Sequence, residues 1–168
     1  NLSELEVFLN TYGLTVEGVK KKIEIDHYWN KLIFEKYKNQ LIAKYGKDAV
    51  QKKIKSACVN TMKKALEYGS QDLLEEAHEK YARHAPKKEA LRFELESSIR
   101  FEHDKDAYEK MLSLIKKLNK SCLKEDAKAK IKWSRELDVY AHDFRDFEDY
   151  ALKLAEEAVE LEESLSNW

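Results

Sequence analysis

Toward the end of the chain, apolar side chains recur at alternating steps of four and three: Trp133, Leu137, Tyr140, Phe144, Phe147, Ala151, Leu154, Ala158, Leu161 and Leu165. A repeat near 3.5 residues keeps one seam on one side of a helix, so the pattern predicts a continuous, coiled-coil-like helix over about 124–166. Upstream, Val50, Ile54, Cys58, Met62, Leu66, Leu73, Ala77 and Tyr81 predict a helix over about 48–84. Asp48 and Gln51 are spaced as a capping box at its start, and Gly69 is a point of kinking or breakage. Pro86 suits the first position of a helix over about 86–119. Its apolar positions Leu91, Leu95, Ile99, Tyr108, Leu112 and Ile115 are interrupted by the polar run 102–106. Nearer the N-terminus, Val16, Ile23, Phe34, Tyr37 and Leu41 predict a helix over about 16–45, capped by Thr15 and stopped by Gly46. A short helix over 3–12, with Ser3 as its cap, precedes it and ends near Gly13.

Short connections make consecutive helices antiparallel neighbours. The predicted fold is therefore all-α: an elongated up-down antiparallel bundle of about four long helices plus a short N-terminal helix, one domain over 1–168. Helices of thirty-odd residues make a rod of roughly 45–55 Å. The same pattern is satisfied by pairing between copies, so a homo-oligomer stays open. Composition agrees: four glycines and one proline leave few turns for a sheet, while 43% hydrophobic and 38% charged residues suit a core wrapped in solvated helix faces. No apolar run is long enough to be a transmembrane segment, and no signal-peptide core is visible. The expectation is a soluble chain, cytoplasmic first, with a processed, periplasmic or secreted form left open because the sequence starts at Asn1.

Charge changes the picture. The net charge is −1, yet residues 31–64 hold ten lysines against Glu35 and Asp48, and residues 110–135 hold eight lysines and Arg135 against Glu125 and Asp126. In a straight bundle both stretches surround turns at one end, with Glu75, Glu76, Glu79 and the tail acids Glu156, Glu157, Glu160, Glu162 and Glu163 at the other. Lys52, Lys53, Lys55, Lys63 and Lys64 are then candidate contacts for an anionic surface or polyanion. Arginine is scarce there, which argues for non-specific attraction.

Two Glu-x-x-His pairs, Glu24/His27 and Glu75/His78, resemble the ligand pairs of carboxylate-bridged di-iron bundles, and that resemblance implies metal bound between facing helices. Reflection through turns near 47, 85 and 121 separates the two pairs in height. It instead sets His27, Glu67, His103 and residue 139 level, so His27, Glu67, Glu102 and His103 are the candidate metal layer, although the last helix adds no inward ligand there. Without that layer no cofactor is expected. Cys58 and Cys122 read as free thiols, with Cys122 beside a positive helix start.

Arg135 and His142, six residues apart, resemble the spacing in helical RNases of the HEPN group. That resemblance implies cleavage by a dimer, and Glu136 departs from the pattern. Residues 8–23, Phe8 to Ile23, with Trp29-Asn-Lys-Leu-Ile, are similar to the helical N-terminal segment of SurA-type periplasmic chaperones, which implies chaperone-like binding of unfolded chains. No glycine-rich phosphate loop, nucleophile elbow or His-Glu-x-x-His motif occurs. The leading expectation is a non-enzymatic helical interaction or scaffold module with a protein partner; the alternatives are a carboxylate/histidine metal- or ligand-binding bundle and a chaperone-like or polyanion-binding protein.

Overall fold

The computed structural model describes residue 39 and residues 42–166. These are all-α: six helices run α1 (Lys47–Tyr68), α2 (Gln71–His84), α3 (Lys87–Asp104), α4 (Tyr108–Cys122), α5 (Ala127–Tyr140) and α6 (Asp146–Ser166), with no strand among the described residues. Helical turns also precede Gly46. The helices predicted over 3–12 and most of 16–45 lie outside the described residues. Two compact units divide the chain, Asn1–Phe93 and Glu94–Trp168, the boundary falling within α3. Among the described residues no helix is long and apolar enough to cross a membrane.

In the first unit, Gly46 stops the preceding turns and opens α1 at a φ of 87° that only glycine adopts readily. It carries no side-chain cap, so the capping box predicted at Asp48 and Gln51 does not form. The predicted helix 48–84 is two helices. Gly69 (φ 61°, ψ 34°) ends α1: its N–H donates to the Leu66 carbonyl at 3.3 Å and that of Ser70 donates to Ala65 at 2.9 Å, the two bonds of a Schellman motif. Ser70 Oγ then accepts from the Leu73 N–H at 3.3 Å and caps α2. One glycine and one serine thus stop one helix and start the next, letting α1 and α2 pack on each other. Cys58, Met62, Ala65, Leu74, Ala77 and Tyr81 are buried there. Tyr81 stacks on Phe93 at 4.0 Å and donates to Glu89 at 2.9 Å, and Lys55 donates to the same Glu89 oxygen at 3.0 Å, which ties three helices together. Both hydrogen bonds hold the Glu89 carboxyl below its ordinary range, Lys55 contributing most.

The predicted helix 86–119 also divides, at its polar run. Asp106 takes a positive φ of 56°, which aspartate tolerates better than most residues. The Asp106 and Ala107 N–H groups donate to His103 at 3.0 Å and Glu102 at 3.0 Å, a second Schellman motif. Pro86 sits one position earlier than predicted, its carbonyl accepting the first helical bond from Ala90.

The largest departure is in the predicted helix 124–166. It starts later, with Asp126 accepting from the Ala129 N–H at 3.0 Å, and it breaks over 141–145 without glycine or proline. Bonds from Ala141 to Asp138 and from Asp143 to Tyr140 tighten the last turn of α5, and the chain doubles back. α5 and α6 pack on each other, Ser134 Oγ donating to the Ala151 carbonyl at 2.6 Å. The seam is therefore an intramolecular hairpin and not an outward coiled coil. Trp133, Leu137, Phe147, Ala151, Leu154 and Ala158 are buried, while Leu165 at the tip is 70% exposed. Energetics favour the fold-back: each fully buried large apolar side chain contributes about 1.5–3 kcal/mol, against about 1 kcal/mol for each helical hydrogen bond given up at the turn. Phe144, at the turn, joins an aromatic cluster with Phe147 at 5.0 Å and Tyr108 at 6.1 Å.

Candidate functional site

Three contacts set the register of the second unit. Tyr108 meets Phe144 and Phe147, Lys116 lies over Tyr150, and Asn119 reaches Tyr150 and Glu157, so α4 and α6 run side by side in the same direction. Between them opens a groove of about 920 Å³. Its α4 wall and the following loop present Lys116, Lys120 and Lys124; its α6 wall presents Asp146, Asp149, Lys153 and Glu160; Leu112 and Leu161 add apolar surface.

The floor is a polar network. Lys130 of α5, only 4% exposed, donates to Asn119 Oδ1 at 2.6 Å and to Glu157 Oε2 at 2.8 Å. Asn119 Nδ2 donates to the same Glu157 oxygen at 2.9 Å and to the Tyr150 hydroxyl at 3.2 Å. A buried ammonium is tolerated because its charge and donors are met. Burial pushes the Glu157 carboxyl up, but hydrogen bonds from Lys130 and Asn119, with the charges of Lys130 and Lys153, bring it below its ordinary range. Burial raises the Tyr150 hydroxyl, as does the Glu157 charge, against a smaller opposing effect of the Asn119 bond. Among the described residues no buried side-chain nitrogen or oxygen lacks a partner.

The fold-back that makes this floor also revises the expected charge separation. A straight last helix would carry Glu157 and Glu160 far from residues 110–135; the turn at 141–145 returns them to Lys130, Lys120 and Lys124, so both signs line one groove. Of the candidate basic-end residues, Lys52, Lys53 and Lys63 are exposed on α1, Lys55 is bound to Glu89, and Lys64 is buried against Glu67 and the Tyr68 ring.

The candidate metal residues are distributed as follows. His27 lies outside the described residues; Glu67, 57% exposed, is in the first unit; Glu102 and His103 are in the second. Glu102 faces Lys110 at 3.8 Å, and His103 lies 3.4 Å from Asp104 with its ring 4.3 Å from that of Tyr140. His103 therefore meets an aromatic ring supplied by α5. Among the described residues no three His, Cys, Asp or Glu side chains gather as a metal ion requires. Glu75 accepts from Gln71, and His78 meets Phe93 edge-on. Arg135 is exposed on α5 while His142 lies in the turn beyond it, beside Asp143, so the two do not share one helix face. Cys122 is the last residue of α4 and is buried, not at a helix start.

Asn119, Lys130, Tyr150 and Glu157 were not among the predicted site residues, yet a signal exists. Lys130 continues the stripe of Trp133 and Leu137; Glu157 continues that of Tyr150, Leu154 and Leu161; Asn119 continues that of Leu112 and Ile115. Polar residues on apolar stripes must find each other. No protein-family model, curated protein or solved structure matches the chain.

Proposed function

We propose that this protein is a non-enzymatic helical interaction module that receives a partner helix in the groove between α4 and α6. The observation that carries the reading is the groove itself: two helices running in the same direction, lysines along one wall, mostly carboxylates along the other, and a floor whose polar atoms are already satisfied by one another. A floor closed in this way is a platform and offers no unmet group to a reacting substrate. Walls of opposite charge select a partner whose edges carry the complementary charges, setting both its position and its direction.

The reading is tested by panning a library of helical peptides, randomised at their outward positions, against the full-length chain. Enriched binders should slow amide exchange on α4 and α6, around Lys116–Lys124 and Asp149–Glu160. An absence of enriched binders, or a footprint on other helices, overturns it.

A further inference from the structure

Charges on the two walls are complementary toward the Glu160 end of the groove, whereas both walls carry lysine in its middle. Asn119 bonds both Tyr150 and Glu157, so along the groove it stands level with Lys153, which lies midway between them on α6. Its neighbour Lys120 and Lys153 therefore line the same height of the groove from opposite walls. One turn earlier on α4, Lys116 places its ammonium 5.5 Å from the centroid of the Tyr150 ring, and Lys153 places its own 5.8 Å from the same centroid. Two ammonium groups thus share the Tyr150 ring, and Lys120 lines the groove beside them. Among the described residues none of the three is ion-paired with a carboxylate. Away from that level, Asp146 lies toward the start of α6, and Glu160 lies toward Lys124.

Like charges held across a narrow groove repel, and the repulsion is relieved by an anion between them. Tyr150 keeps two of the three in place, since an aromatic face attracts an ammonium group, so the lysine heads lose less freedom when an anion arrives. Resting on the groove reading above, we infer that the docked helix carries one acidic side chain at its centre, whose carboxylate is seated among Lys116, Lys120 and Lys153. A monoanion fits better than a phosphoryl dianion, because Asp149 and Glu157 flank the same level and repel a second negative charge.

The test uses the peptides enriched on the full-length chain. They should share an Asp or Glu at the position that footprints against Asn119 and Tyr150. Replacing it with Gln should weaken binding about tenfold, with the difference shrinking as salt rises. Lys153 is exposed, so Lys153→Glu leaves the core intact; it should reject the acidic peptide and accept the version with a central Lys. Peptides that bind in the groove with no preference for a central acid, or a central phosphoserine that binds more tightly than Glu, overturn the carboxylate anchor and leave the groove reading standing. Failure to enrich any groove-binding peptide overturns both.

Discussion

Lys130, Asn119 and Glu157 form a closed set in which each group answers another, so the cost of disturbing it depends on which member is removed. Lys130→Met keeps the volume but leaves the Asn119 carbonyl without its donor and the Glu157 charge with only the Asn119 amide. Breaking a buried pair from one side costs about 3–5 kcal/mol, and because Glu157 keeps part of its surface in water the expected loss is nearer about 2–3 kcal/mol. Glu157→Gln retains an acceptor but leaves the buried Lys130 ammonium without its counter-charge, so it should cost about 3–5 kcal/mol. Urea midpoints at unchanged m-value measure both; equal losses would show that the network does not act as described. At this scale the sequence was partly legible. The stripes that place Lys130, Asn119 and Glu157 inward are written in the chain, but the partner of each comes from a different helix, at separations no local pattern connects.

At the scale of elements, three long apolar patterns become three pairs of helices, for different reasons. Gly69 and Ser70 carry their break in their own chemistry, a left-handed cap followed by a hydroxyl cap. The run around Asp106 shows its break as a lapse in the apolar stripe. Residues 141–145 show neither, and the periodicity runs straight through them. Spin labels at the exposed positions Lys128 and Glu160 test that turn: a continuous helix places them roughly 50 Å apart, whereas the hairpin brings them to about 10–20 Å. A distance near the longer value would refute the fold-back, and with it the groove.

For the molecule as a whole, acid is the condition that reaches both units. Glu89 in the first and Glu157 in the second have carboxyls held below their ordinary value of 4.5. A group whose folded pKa is depressed contributes stability above the unfolded value, and that contribution disappears as pH falls through the folded value. Thermal midpoints should therefore be level near neutrality and fall as pH drops below about 4.5. Glu157→Gln should flatten the part of that fall belonging to the second unit. At the alkaline side the sign reverses: Tyr108 and Tyr150 have raised hydroxyl pKa values, so they keep protons that the unfolded chain releases, and stability should decline above about pH 10. A profile flat through the acid range would contradict the assigned Lys55–Glu89 and Lys130–Glu157 contacts.

The sequence by itself determined that the chain is helical, which faces of its helices are apolar, and, at Gly46 and Gly69, where helices stop. Each of these follows from interactions between residues no more than a few positions apart. Only the tertiary structure decided that the most regular stripe turns back on itself, because period 3.5 describes a face and carries no information about whether its partner is another chain or its own second half. That choice rests on burial: folding Trp133 and Leu137 against Phe147, Ala151 and Leu154 removes both halves of the seam from water within one unit. The same turn carried Glu157 and Glu160 back toward Lys120, Lys124 and Lys130, so both signs of charge line one groove of the second unit.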